Sequence, residues 1–263
     1  MGKVDQASIT ILNQTGFKGN TAVILGSGLG GFTDSLKDKR TLKYSEIPHY
    51  PEPTVEGHSG KLSIGKLNER EILVASGRLH MYEGYSMDDV VFPIRVLKEC
   101  GIKNLIITNS AGSLRKGNPP GTIMIIGGHI DFTFQDGYDD PELIMDNKYH
   151  CPELDLMASR VALKNNITIA KGNYCWVLGP AYETSSEIQY FRSLKGDAVG
   201  MSTLPEIREG GTLGLKLLTL SLLTNFAAGI SKEPLTHGEV LENAGRSTDK
   251  MIRLLSGIIE GIK

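Results

Sequence analysis

Short, nearly uninterrupted apolar runs recur along the chain, separated by longer stretches in which apolar residues return every third or fourth position. The runs are TAVILG from Thr21, KLSIGKL from Lys61, REILVASG from Arg70, KNLIITNS from Lys103, TIMIIGG from Thr122, NYCWVLG from Asn173, DAVGM from Asp197 and LKLLTLSLLTN from Leu215. Several lack the alternating polar positions of a strand with one wet face, so they predict strands covered on both sides. Helices must then lie on both faces of the sheet.

The helical stretches carry start signals. Thr184-x-x-Glu187, Thr203-x-x-Glu206 and Thr236-x-x-Glu239 each read as a capping box, a hydroxyl and a carboxylate bonding reciprocally across the first turn. Val240, Ala244, Met251, Leu254, Leu255, Ile258 and Ile259 recur at helical spacing and predict a long amphipathic helix over 237 to 262. Ser86 to Cys100 also reads as helix, stopped by Gly101, with Pro93 expected to kink it or delay its start. After Gly31 a short helix gives way to a Pro-interrupted loop with no apolar strand, and Asp131 to Asn147 is the most loop-like and acidic segment. No repeat or linker divides the chain. The expectation is an α/β protein, a single domain over 1–263, with a central mixed, largely buried sheet flanked by helices on both faces.

Composition narrows the function. Of 263 residues 40% are hydrophobic and 22% charged, the balance of a folded globular protein. A net charge of −2 offers no broad basic surface, so a nucleic-acid partner is not expected. Cys100, Cys151 and Cys175 form neither a C-x-x-C pair nor a disulfide frame, which fits a reducing interior. The N-terminal stretch lacks the apolar run of a signal peptide and the Ser or Thr of a myristoylation site, and no segment approaches the roughly 20 apolar residues of a membrane span. A cytoplasmic location is expected.

In α/β sheets ligands gather at the carboxyl ends of strands. Three such ends deliver small hydroxyl residues and free backbone N–H groups: Gly26-Ser27-Gly28, Asn109-Ser110-Ala111-Gly112-Ser113, and Ser202-Thr203. That is how proteins hold phosphate. Arg78, His80 and Tyr82 alternate where a strand runs out, so their side chains are expected on one side, with Arg78 able to clamp an oxyanion. The plainer alternative pairs Arg78 with Glu83 at the surface and leaves His80 a bystander.

Gly26, Gly28 and Gly31 also match G-x-G-x-x-G. A dinucleotide site needs a second strand ending in an acid about 20 residues on, and the following residues supply neither. Leu25 and Thr108 occupy the glycine positions that a G-x-S-x-G nucleophile elbow requires before Ser27 and Ser110. No H-E-x-x-H and no G-x-x-x-x-G-K-[ST] occurs, so neither a metal nor a covalent nucleophile is expected.

The blocks GRLHMYEGY, ITNSAGSL, GPAYETSSEI, GDAVGMSTLPE and SLLTNFAAGI, in that order from about Val23 to the final helix, closely resemble the trimeric purine nucleoside phosphorylases. The resemblance implies the nucleoside phosphorylase fold and reversible phosphorolysis of 6-oxopurine ribonucleosides or deoxyribonucleosides to free base and pentose 1-phosphate. It implies no cofactor beyond inorganic phosphate as co-substrate, no membrane partner, and a homotrimer. Ser27, His58, Arg78, His80, Asn109, Ser110 and Ser202 would hold phosphate, and Tyr82, Met201 and His237 would surround the ribose. Ala111, Gly112, Tyr182, Glu183, Val199, Gly200 and Asn225 would form the purine site, with His80, Glu183 and Asn225 nearest the chemistry.

Physical alternatives stand beside these roles. An acid such as Glu183 is favoured near a helix start by the dipole alone, Asn225 is the polar cap a buried strand needs, and a positive helix end would keep His237 neutral. Asn225, where an adenosine-type enzyme would carry an acid, points to inosine and guanosine. The alternatives are a 5′-methylthioadenosine phosphorylase, a dinucleotide oxidoreductase, and a non-catalytic purine-binding module. The chain departs from the family pattern at Ser110, more often Ala, and in GGHIDFTFQDG and IREGGTLGLK. The aromatic residue that closes a neighbour's ribose site has no clean match, Tyr149 in NKYHCPEL being the nearest candidate.

Overall fold

The computed structural model describes residues 1–55, 57–135, 137, 140–231 and 237–262, without the side chains of 237–247. Nine strands form one mixed sheet: β1 (Thr21–Leu25), β2 (Lys37–Lys43), β3 (Lys61–Leu67), β4 (Arg70–Ser76), β5 (Asn104–Ser113), β6 (Ile123–Asp131), β7 (Ile169–Trp176), β8 (Ala198–Gly200) and β9 (Lys216–Phe226). Their spatial order is β2-β3-β4-β1-β5-β8-β7-β6-β9, and β9 pairs again with β5. The second half of the sheet therefore closes on itself, which an open-sheet reading of the sequence does not anticipate.

Helices cover both faces, as the apolar runs require. α1 (Lys3–Thr15), α2 (Met87–Glu99) and α5 (Leu204–Thr212) pack over one face in a core containing Ile11, Ile94 and Ile207. α3 (Pro152–Lys164) and α6 (His237–Gly261) cover the other, through Leu154, Ala158, Leu254, Leu255 and Ile258. Burying a side chain such as Leu254 contributes roughly 1.5–3 kcal/mol. α4 (Ser185–Ser193) sets Ile188 and Phe191 against Phe132 in a smaller cluster.

The capping box at Thr184 is present, with Glu187 N–H donating to the Thr184 hydroxyl at 3.3 Å. Ser86 caps α2 in the same way through Asp89, and the helix starts at Met87 with Pro93 inside it, so the proline does not delay the start. Thr236 lies outside the described residues, and α6 follows from His237.

Two expectations are corrected. The loop predicted after Gly31 contains the strand β2; five of its first five residues and Lys43 are exposed, with only Leu42 buried, so as an edge strand beside β3 it carries no apolar run. Thr203-x-x-Glu206 starts α5 without being a capping box: the Thr203 hydroxyl makes no cap bond and its φ is 80°.

The topology also disposes of the dinucleotide context. β1 lies between β4 and β5, both parallel to it, while the next strand in the chain, β2, pairs with β3. Among the described residues no β1–helix–strand unit places an acid beside the glycine turn.

Candidate active site

β1 and β5 run in register from Thr21↔Asn104 to Ile24↔Ile107, beyond which β5 continues without β1, paired along its whole length with β9 and at Gly112 and Ser113 with β8. The parting of β1 from β5 opens a crevice. Gly26 stands at its root, where an added Cβ would lie 2.7 Å from the Asn109 Cα, so only glycine lets the two backbones approach this closely. The Gly26 N–H donates to the Thr108 hydroxyl at 2.9 Å, and Ser110 Oγ donates to the Ser27 carbonyl at 3.2 Å.

The crevice leads into a cavity of about 590 Å³, lined by Ser27, His58, Arg78, His80, Tyr82, Asn109, Ser110, Ala111, Gly112, Tyr182, Glu183, Val199, Gly200, Met201, Ser202 and Asn225. These are the sequence-predicted site residues apart from His237, whose side chain lies outside the described residues. Val55, Gly57, Thr224, Ala227 and Ala228 join the lining without a prior signal, since small or apolar residues carry none.

One end of the cavity is rich in donors. Arg78 is 3% exposed, and its Nη1 donates to Ser202 Oγ at 3.2 Å and Thr203 Oγ1 at 2.9 Å. Its Nε lies 3.4 Å from Glu206 Oε1, an ion pair buried beneath the site. His58 Nε2 meets Ser27 Oγ at 3.3 Å. Burial, with Arg78 and His80 adding repulsion, lowers the His58 pKa to about 3, so its imidazole is neutral.

Arg78, His80 and Tyr82 line one cavity, but not through the strand alternation that their spacing predicts. β4 ends at Ser76, Gly77 takes a φ of 125°, and Tyr82 lies in a 3₁₀ turn over Met81–Glu83 that His80 precedes as its N-cap. They nonetheless face one way, with the His80 and Tyr82 rings stacked at 4.7 Å. Glu83 pairs with His80 instead of Arg78, Nδ1 to Oε1 at 2.9 Å, and accepts from the Thr54 N–H and hydroxyl at 2.6 and 2.7 Å. Burial pushes the Glu83 carboxyl up, but the bonds from Thr54 and His80 outweigh it and hold the group low. A carboxylate only accepts, so Nδ1 of His80 carries the proton and Nε2 faces outward as an acceptor. Burial, with Arg78 adding repulsion, lowers the His80 pKa against the opposing bond and charge of Glu83.

Gly112, Val199, Ala227 and Ala228 give the rest of the lining small and apolar surface. Gly112 pairs with Val199 of β8 and Asn225 of β9, which places the three in one row across the sheet. A Cβ on Gly112 would lie 3.3 Å from Asn225 Nδ2 and 3.4 Å from a Val199 methyl, so the glycine keeps the row open. Asn225 Oδ1 accepts from Thr224 Oγ1 at 2.9 Å and its Nδ2 donates to the Phe226 carbonyl at 3.1 Å. Glu183 stands just before the α4 N-cap, and burial raises its carboxyl pKa. Tyr182 is 58% exposed at the rim.

Asn109 lies in the lining with its amide turned to Thr203, Nδ2 to Oγ1 at 3.0 Å. Tyr149, the candidate for reaching into a neighbouring subunit, is packed edge-on against His129 at 5.3 Å and seated over Gly211 of its own chain. Its side chain is half-buried there.

A family model described as the phosphorylase superfamily matches residues 20–260. Purine nucleoside phosphorylase 1 of Bacillus subtilis is 37% identical, the match covering 98% of this chain and 97% of that protein. The Mus musculus purine nucleoside phosphorylase is 35% identical over 96% of this chain and 92% of its own. Among solved structures, Schistosoma mansoni purine nucleoside phosphorylase in complex with inosine superposes with a TM-score of 0.89 at 33% identity, covering 99% of this chain and 96% of that one. The same enzyme in complex with adenosine gives 0.90 at 34%, covering 99% and 97%.

Proposed function

The chain belongs to the phosphorylase superfamily, among the pentosyl-transferring purine nucleoside phosphorylases, and from that premise we propose that its cavity takes a 6-oxopurine nucleoside above an orthophosphate. The observation that carries this reading is the polarity of the cavity. Ser27, His58, Arg78 and Ser202 converge at one end, and Glu183 and Asn225 stand at the other.

Phosphate held by Arg78, the serine hydroxyls and the turn N–H groups lies beneath the sugar's anomeric carbon. As the glycosidic bond lengthens, the ribose gains oxocarbenium character, which the fixed anion stabilises before attacking as nucleophile. The C–N bond breaks, a C–O bond to phosphate forms, and the electron pair leaves with the purine. Asn225 Nδ2 donates to N7 of the departing base, while Glu183 accepts from N1–H, a hydrogen that 6-oxopurines carry and adenine lacks. His80 Nε2, held as an acceptor by Glu83, suits a sugar hydroxyl or a protonated phosphate oxygen. Tyr82 and Met201 flank the ribose and Val199 the base.

The same reading makes phosphate the only co-substrate and the enzyme a cyclic trimer in the cytoplasm. In support, Phe134 and Met145 are 56% and 66% exposed in the segment between β6 and α3, apolar area that a heterologous ring contact would cover. No helix among the described residues is long and apolar enough to cross a membrane. Initial rates on inosine, guanosine and adenosine at saturating phosphate test the specificity. The first two are expected to exceed adenosine by about tenfold or more, a site built to accept N1–H rejecting a base without it; equal rates would remove Glu183 from its role.

A further inference from the structure

Thr203 occupies a conformation that a β-branched residue reaches only at a cost. Its φ of 80° and ψ of −43°, with the Leu204 N–H donating to the Ser202 carbonyl at 2.9 Å, describe a tight γ-turn with positive φ, a strained form. The residue is 1% exposed, so no surface requirement accounts for it. The turn aims one hydroxyl at three partners: Arg78 Nη1 at 2.9 Å, Asn109 Nδ2 at 3.0 Å and Ser202 Oγ at 3.0 Å.

Counting protons around that hydroxyl fixes its polarity. Guanidinium and amide N–H groups can only donate, so Thr203 Oγ1 accepts from both Arg78 and Asn109, and both its lone pairs are occupied. Its single proton then goes to Ser202 Oγ. The Ser202 oxygen also accepts from Arg78 Nη1 at 3.2 Å, so its own lone pairs are filled as well, and its O–H has to find an acceptor elsewhere. The Tyr174 phenol stands close by, but its proton goes to the Ser202 carbonyl at 3.0 Å, and burial keeps it un-ionised, a weak acceptor. The strong acceptor that this serine hydrogen can meet is an anion in the cavity.

We propose that Thr203 is a positioning residue for phosphate: its hydroxyl pins Arg78 and polarises Ser202 so that the serine donates to the anion. The strained turn is the device that carries the hydroxyl there. The inference rests on the phosphate reading given above and adds to it a residue that does not line the cavity.

The test is a set of steady-state measurements on Thr203→Val, Thr203→Ser, Thr203→Gly and Ser202→Ala, each with a thermal melt. Thr203→Val keeps the shape and removes the hydroxyl; Thr203→Gly removes it while relieving the backbone, which guards against a valine variant that fails to fold. Both are expected to raise the KM for phosphate by about tenfold or more while the KM for inosine moves less than about threefold, and Thr203→Ser is expected to restore the parent value. A merely structural role would depress all parameters together and follow the melting temperature. Hydroxyl-free variants with parental phosphate KM, or a serine variant that rescues nothing, overturn the proposal. If Ser202→Ala raises the phosphate KM and the Thr203 variants do not, this inference fails and the phosphate pocket stands. If neither moves it, the pocket reading fails too.

Discussion

Arg78 Nε and Glu206 Oε1 lie 3.4 Å apart with 2% and 5% of their side chains exposed. Glu206 Oε2 and Arg78 Nη2 have no hydrogen-bond partner among the described residues, and of the two only Arg78 lines the cavity. Burial pushes the Glu206 carboxyl up and Arg78 opposes it. Glu206→Ala strands a buried cation and is expected to cost about 3–5 kcal/mol of stability. Glu206→Gln costs less, and phosphate raises its melting temperature more than the parent's, because the anion then meets an uncompensated charge. Equal phosphate-induced shifts in the two proteins would show that Glu206 does not tune the site.

Removing the cation itself is more drastic. Arg78→Ala is expected to lower kcat/KM for phosphate by the equivalent of about 2–4 kcal/mol, the scale of a lost desolvated anion contact, with a smaller effect on the KM for inosine. Phosphate titrations at fixed inosine measure it. Parental phosphate kinetics would take Arg78 out of the pocket.

At the base end, Asn225→Asp replaces the Nδ2 donor with a carboxylate oxygen. A 6-amino group can donate to it, whereas a 6-oxo group is repelled. The ratio of kcat/KM for inosine to that for adenosine is expected to fall by about a hundredfold, two polar contacts of roughly 1–2 kcal/mol each being exchanged. An unchanged ratio would remove the basis for the specificity assignment.

Outside the cavity lining, His129 Nδ1 and His150 Nε2 meet at 3.0 Å with the two residues 0% and 6% exposed. Burial lowers their pKa values to about 3 and about 4, with His150 adding repulsion at His129 and the Ile126 carbonyl opposing the drop at His150. Both pKa values are depressed on folding, so this stability is fully present above the ordinary value near 6.5 and drains as pH falls from there towards 4 and then 3. Each histidine adds a slope of about 1.4 kcal/mol per pH unit in that window. Urea unfolding from pH 7.5 to 5 measures it, and His129→Gln/His150→Gln is expected to lower the slope by these two contributions, leaving those of His58 and His80, whose pKa values burial also depresses. A parent profile flat below pH 6.5 would contradict the buried neutral pair.

Much of the site was legible because its residues lie in contiguous blocks at strand ends, where composition and order coincide: Gly26 to Gly28, Arg78 to Tyr82, Asn109 to Gly112, Val199 to Ser202. What escaped has local physical reasons. β2 is an exposed, charged edge strand with no apolar run to mark it. Thr203 and Glu206 have the spacing of a capping box, but both turn to Arg78, 125 residues away in sequence from Thr203, a competition that no local pattern records. Tyr149 is an aromatic in the expected segment, and its half-buried packing against His129 and over Gly211, both distant in sequence, leaves no local pattern to read.

The most direct measurement is the release of hypoxanthine from inosine with and without phosphate. The account predicts that product appears only with phosphate and that ribose 1-phosphate accumulates in equal amount. Hypoxanthine formed at the same rate in phosphate-free buffer, with free ribose as the second product, would contradict it.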